Sequence, residues 1–154
     1  KAIAIAKQNG TTVALSLSDS FCVERHRDSF DHAVRNGVDI VVADEDEINE
    51  LVQADSFDDA LEAIRTYDNL FAITRSDKGS VIVRGDEYIV QAATPVDEII
   101  DTTGAGDAYT AGFLFGWVND KPLAECAKIG TFCGTQVIQQ VGARIEPGLL
   151  DSYS

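Results

Sequence analysis

The sequence predicts an α/β fold built on a mostly parallel sheet, with helices on both faces and an antiparallel hairpin at one edge. Three observations carry that expectation. Residues 38–43 and Leu70–Thr74 are almost wholly apolar runs of strand length, as in parallel strands covered on both sides. Segments with apolar residues at helical spacing separate them, and strand, helix, strand implies a right-handed crossover. Gly85-Asp86, between two further strand-like runs, is a short-range hairpin signal.

Taken in order, Ala2–Gln8 has helix-forming residues and Asn9-Gly10 supplies a left-handed stop. Residues 12–18 form a β-branched and apolar strand ending at Asp19-Ser20. Residues 21–36 suit an amphipathic helix, with Phe21, Phe30, Ala33 and Val34 as its apolar positions, stopped by Gly37. After the strand at 38–43, Asp44-Glu45-Asp46-Glu47 opens a helix at 45–53. Ser56 or Asp55 caps another at 57–66. Leu70–Thr74 ends in Arg75-Ser76-Asp77-Lys78-Gly79, and strands at 80–84 and 87–92 flank the Gly85-Asp86 turn. The Ile99-Ile100 pair is expected to seat its segment on the core. A helix over 106–119 carries Gly112 and Gly116 four residues apart, a flat stripe for close packing. Asp120-Lys121-Pro122 breaks the chain, and a last helix runs to about residue 140, stopped by Gly142. On it, Cys126 and Cys133 share one face that suits packing. Trp117 and the phenylalanines read as core, and His26 and His32 as solvated surface.

At 154 residues the chain is one domain or part of one, with 45% apolar and 25% charged residues and no low-complexity tract or repeat. A net charge of -14 argues against general affinity for nucleic acid or anionic membrane, which need clustered Lys and Arg. A nucleotide would be held by local amides and a metal, against the overall field. Three cysteines, without Cys-x-x-Cys spacing, read as reduced core thiols of a cytoplasmic protein rather than a zinc site. The first residues are too short an apolar run for a signal peptide. Without Met at position 1, the chain is expected to begin partway through a longer protein.

The densest chemistry lies in Asp101-Thr102-Thr103-Gly104-Ala105-Gly106-Asp107, followed at once by an apolar helix. A Gly-Ala-Gly helix entrance leaves N–H groups unpaired, so an anion can approach closely and feel the positive end of the dipole. Asp107 inside that cradle would repel a bound phosphate unless it had a task there, such as taking a proton from an attacking hydroxyl. Asp101 and Thr102 add oxygen ligands upstream. The plainer reading is a tight turn with an Asp near a helix start. For Asp44 to Glu47 two readings also stand: a capping cluster, or metal handling where open α/β sheets place ligands. Likewise the Thr74 to Gly79 stretch is either a phosphate path or a solvated turn. Thr131 and Thr135 either face a ligand or bond back to the preceding turn.

The seven residues from Asp101 to Asp107 match the Asp-Thr-x-Gly-Ala-Gly-Asp signature, and the chain resembles the carboxyl-terminal half of a ribokinase-like (pfkB) carbohydrate kinase. Ser16-Leu17-Ser18 with Phe21, Val38-Asp39-Ile40 and the stretch from Asp120 to Cys126 are similar to the adenosine kinase branch. The resemblance implies part of a three-layer ribokinase-like fold. It implies an ATP-dependent kinase, with Mg²⁺ and in some members a monovalent cation such as K⁺, acting on a nucleoside or sugar hydroxyl. On that resemblance Asp107 is the catalytic base and Gly104, Ala105 and Gly106 the anion hole. Thr74-x-Ser76-x-x-Gly79 falls where members carry Thr-x-Gly-x-x-Gly by the ATP phosphates, with Ser76 in place of the first Gly. Asp44-x-x-Glu47 falls on the family's Asn-x-x-Glu element associated with Mg²⁺, and Asp101 and Thr103 where some members bind the monovalent cation. Thr102 lies beside the nucleotide, and Thr131 and Thr135 lie on the helix whose start flanks the adenine. The family's acceptor-binding amino-terminal half and lid have no counterpart here. Residues 1–154 are thus expected to be a single ATP-binding and catalytic domain, or a non-catalytic nucleotide-binding or assembly module, with pairing to another copy or to the missing half in view.

Overall fold

The protein is described by a computed structural model covering residues 1–145 and 147–152. In chain order the elements are α1 (Ala2–Gln8), β1 (Ala14–Ser16), α2 (Ser20–Gly37), β2 (Ile40–Asp44), α3 (Glu45–Val52), α4 (Phe57–Ile64), β3 (Leu70–Thr74), β4 (Ser80–Arg84), β5 (Glu87–Gln91), α5 (Ala105–Val118) and α6 (Leu123–Val137). Short 3-10 turns stand at Ser76–Lys78 and Leu149–Ser152. Two compact units result: Lys1–Arg75 with Val81–Tyr88, and Ser76–Ser80 with the chain from Ile89 onward.

The strands are hydrogen-bonded in sequence order, β1 to β5, in one sheet. β1 lies parallel to β2 (Leu15 opposite Val41) and β2 parallel to β3 (Val42 opposite Ala72). Two-residue and five-residue links join β4 to its neighbours, too short for parallel crossovers, so these strands run antiparallel. Both right-handed crossovers in the first unit step the same way along the sheet. They therefore put α2 and the α3, α4 pair on one face. Alternate strand residues, Val41, Ala43, Phe71, Ile73, Val81 and Val83, join Val23, Val34, Ile48 and Leu61 of those helices in one core. The opposite set, Ile40, Val42, Leu70, Ala72 and Ile82, is buried too, so β2 to β4 are covered on both faces, as their unbroken apolar runs require.

Local chemistry explains where elements start and stop. β1 covers three residues rather than 12–18, because the Asp39 carboxylate takes the Val13 N–H at 2.7 Å and Ser18 turns left-handed at φ 69°. β2 begins two residues later than expected, since Val38 still caps α2 with its N–H on Ala33 O. Asn69, buried, ties that corner by donating to Val34 O and Val38 O at 2.9 and 2.6 Å. Asp19 caps α2 by accepting from the N–H groups of Phe21 and Cys22, and α2 kinks at His26. Phe21 faces solvent, 74% exposed, rather than joining the apolar face; Val23 takes that place. Cys22 is exposed as well, so only Cys126 and Cys133 are core thiols.

In the second unit α5 and α6 pack without room for side chains at three positions. A Cβ on Gly112 would lie 2.7 Å from Ile129 O and 2.8 Å from Cys133 Sγ; one on Gly116, 3.0 Å from Cys126 Cα; one on Gly130, 2.9 Å from Tyr109 O. The stripe of small residues thus meets a third glycine, Gly130, on the facing helix. α6 ends at Val137, short of 140, and Gly142 turns the chain five residues later at φ 91°. Ile99 and Ile100 do not seat their segment on the core: they are 59% and 52% exposed, and the segment is held instead by the Ile100 N–H on Ile138 O at 2.8 Å. Among the described residues no helix is long and apolar enough to cross a membrane.

Gly112→Ala is expected to lose about 1–3 kcal/mol, because the methyl meets backbone and sulfur that cannot both withdraw; urea denaturation of the two proteins measures it.

Candidate functional site

The entrance to α5 is built by ties between chain segments about forty residues apart. Asp101 Oδ1 accepts the Thr103 N–H at 2.9 Å and its Oδ2 the Gly142 N–H at 3.0 Å. Thr103's hydroxyl and N–H, then the Gly142 N–H, hold the Asp101 carboxyl below the usual carboxylate range. Gly104 follows at φ 81°, with Ala143 so near that a Cβ would meet its Cβ at 2.5 Å. The fold itself demands glycine there, on conformation and on space.

Gly106 differs. It lies in the first turn of α5, and a Cβ on it would meet nothing within 4 Å. Ala105 N–H is taken by Thr102 O at 3.1 Å, but no acceptor among the described residues takes the N–H of Gly104, Gly106 or Asp107. Asp107 is the third residue of the helix, exposed, its carboxylate with no hydrogen bond or ion pair among the described residues. A bare turn of amides at the positive end of a 14-residue helix, with one uncommitted carboxylate beside it, can receive an anion and accept a proton next to it.

The same unit holds the turn after β3. Ser76 is left-handed at φ 52°, where glycine would sit without strain, and Gly79 N–H closes the turn on Ser76 O at 3.1 Å. Gly79, at φ 88°, has no space for a side chain: a Cβ would fall 2.0 Å from Gln91 O and 2.6 Å from Ala93 N. Thr131 and Thr135 are buried on α6, and Thr102 and Thr103 are exposed.

The other unit carries Asp44, Glu47 and Thr74 at the carboxyl ends of β2 and β3. Asp44 and Glu47 form a reciprocal capping box: Glu47 N–H donates to Asp44 Oδ1 at 2.7 Å and Asp44 N–H to Glu47 Oε2 at 2.9 Å. Glu47 is only 7% exposed. Burial pushes its carboxyl up to about 7, against the Asp44 N–H that lowers it, with Asp44, Asp19 and Asp46 adding repulsion. Glu45 pairs with Arg75 at 2.8 Å, and that guanidinium lies 3.8 Å over the Phe57 ring. Thr74 Oγ1 stands 3.5 Å from Ala43 O, at the outer limit of a hydrogen bond. Among the described residues no three His, Cys, Asp or Glu side chains converge as a metal cage.

Sequence reading missed two contributors to the second unit. Tyr109 donates its hydroxyl to Ser80 Oγ at 2.9 Å, both buried, and Ala143 packs on Gly104. The first left one signal: a tyrosine inside an apolar helix needs a partner for its hydroxyl.

A parallel sheet with crossover helices and a glycine-lined helix entrance defines an α/β protein of the ribokinase-like class. Solved structures bear that out: adenosine kinase from Sinorhizobium meliloti superposes with a TM-score of 0.94 at 43% identity over 99% of this chain and 47% of its own. Fructokinase from Vibrio cholerae, solved with fructose, ADP and calcium ion, superposes with a TM-score of 0.82 at 26% identity, over 92% of this chain and 49% of its own. The model of the pfkB family carbohydrate kinases matches residues 1–148, and the chain belongs to that family. A cytidine kinase of Thermococcus kodakarensis is 34% identical over 108 residues, 68% of this chain and 38% of its own length. The chain therefore spans about half the length of the solved relatives and little more than a third of that curated one.

Two outcomes follow from this geometry. Gly104→Ala should cost about 1–3 kcal/mol through strain and the Ala143 contact, whereas Gly106→Ala should be neutral or gain up to about 1 kcal/mol as a better helix former; thermal and urea unfolding separate them. Glu47, with its folded-state pKa raised from 4.5 to about 7, holds its proton more tightly folded than unfolded. Its contribution to stability is therefore full below pH 4.5 and declines as pH rises to about 7. Glu47→Gln keeps the capping box, so its stability should fall less between pH 5 and pH 8 than that of the unsubstituted chain; equal slopes refute the assignment.

Proposed function

We propose that this chain is the nucleotide-binding and catalytic portion of an ATP-dependent kinase, transferring the γ-phosphoryl group to a hydroxyl of an adenosine-like nucleoside or of a sugar. The observation that carries it is the exposed Asp107 carboxylate at a helix entrance whose Gly104, Gly106 and Asp107 N–H groups have no acceptor among the described residues, with open space at Gly106. Asp107 takes the proton of the acceptor hydroxyl as its oxygen bonds the γ-phosphorus, and the bridging oxygen leaves with ADP. Gly104, Ala105 and Gly106 line the hole that stabilises the phosphoryl oxygens, Ala105 by its small side chain and the others by their N–H groups. Thr74, Ser76, Gly79 and Thr102 are assigned to the nucleotide's phosphates, and Thr131 and Thr135 to the helix beside its base.

Mg²⁺ bound to the nucleotide would supply charge neutralisation on the phosphates. With the Asp44 and Glu47 oxygens engaged in mutual capping, they suit a metal reached through water, its inner ligands coming from phosphate. Asp101 already accepts two N–H groups, and its remaining lone pairs, with Thr103, would serve a monovalent cation. The adenosine, cytidine and fructose kinases among the relatives support both acceptor classes.

A second reading, a nucleotide-binding or assembly module without catalysis, is favoured by the half-length match alone. Titration with MgATP, beside an assay for ATP consumption with adenosine, ribose and fructose, separates the two: binding without turnover supports the module. Where turnover is seen, Asp107→Asn should lower kcat by about 100-fold or more and leave the ATP dissociation constant within a few-fold. Undiminished turnover removes Asp107 as the base.

A further inference from the structure

We propose that Tyr109 is a positioning residue for the phosphate site, its hydroxyl bond to Ser80 setting the separation between the α5 entrance and the Ser76 to Gly79 turn. The inference rests on the reading of both segments as phosphate-binding. Tyr109 lies two residues beyond Asp107, about half a helical turn round to the opposite side of α5, so the exposed carboxylate and a buried anchor share one short piece of helix. That anchor is fixed on three sides. Its ring lies against Gly130, where a Cβ would come within 3.0 Å, and stacks on Phe113 at a centroid distance of 6.3 Å. Its hydroxyl donates to Ser80 Oγ at 2.9 Å, with Ser80 only 1% exposed. Burial pushes the phenol up to about 12, so it stays a neutral donor.

The residue before Ser80 is constrained as well. Gly79, immediately before it, is pressed on Gln91 O and Ala93 N with no room for a side chain. The end of the turn is thus held by backbone at Gly79 and by the Tyr109 hydroxyl at Ser80. Shape alone would be met by phenylalanine, whose ring makes the same contacts with Gly130 and Phe113. The hydroxyl adds one thing: a directional bond of fixed length between the helix whose entrance has open N–H groups and the turn assigned above to the nucleotide's phosphates.

The test uses Tyr109→Phe, Ser80→Ala and the double variant in the full chain, with MgATP titrated by calorimetry and unfolding followed by urea. Phenylalanine keeps the packing, so the variants are expected to fold, with modestly lower urea midpoints. If the bond sets the geometry, each single variant binds MgATP about 3- to 10-fold more weakly, and the double variant is no worse than either single one. Unchanged MgATP affinity alongside a lowered midpoint makes the bond merely structural and overturns the inference, leaving the kinase reading in place. Additive losses overturn it as well. An unsubstituted chain that takes up no MgATP removes the phosphate-site reading and this inference together.

Discussion

Two helices that approach to backbone contact are what the candidate site depends on. With glycine at 112, 116 and 130, α5 meets Ile129 O and the Cα atoms of Cys126 and Gly130 directly. Contacts at that distance leave little freedom to slide or rotate. A helix held this firmly along its length delivers its first turn to a fixed place. The Asp101 bridge to Gly142 and the seating of Gly104 on Ala143 then set the loop that enters it. Rigidity matters here because open N–H groups aid a reaction only if they need not reorganise as charge develops.

The two glycines of the signature illustrate how fold and chemistry divide a short motif. Gly104 is required by its left-handed backbone and by its neighbour, whatever the protein does. Gly106 is required by neither, and a better helix former would fit. Leaving the poorer residue at that point is a local inconsistency of the kind expected at a site of function. Asp107 adds a second: an acid beside bare amides, with no partner among the described residues.

Much of the architecture was legible because local and global signals agree. β3 and β4 fall where their apolar runs end, α1 matches its helix-forming residues, and the Gly112, Gly116 stripe packs as its spacing suggests. Most of the misses share a cause: they depend on residues far apart in sequence. β1 is cut short because Asp39 claims the Val13 N–H. Ile99 and Ile100 stay in solvent because a backbone bond to Ile138, rather than their side chains, holds the segment. Phe21 is the exception, its miss being local: the Asp19 cap two residues before it holds its N–H at the start of α2, where its side chain faces solvent and Val23 is buried instead. In the site, the glycine-rich entrance could be read from adjacent letters. Its supports, Gly142, Ala143 and the Tyr109 to Ser80 bond, join segments 29 to 41 residues apart, and no local pattern encodes them. Asp44 to Glu47 shows the converse: the structure makes a capping box there, so the run earns its place by folding whether or not a metal uses it.

The cysteines separate by environment. Cys126 and Cys133 lie inside the helix pair, and burial pushes both thiols up, away from the reactive thiolate. Cys22 stands in solvent at the start of α2, in the unit that carries the sheet. Among the three cysteines, Cys22 thus offers the one accessible thiol, through which a dye or a surface tether can be attached to one unit while the α5 entrance in the other keeps its own residues unmodified.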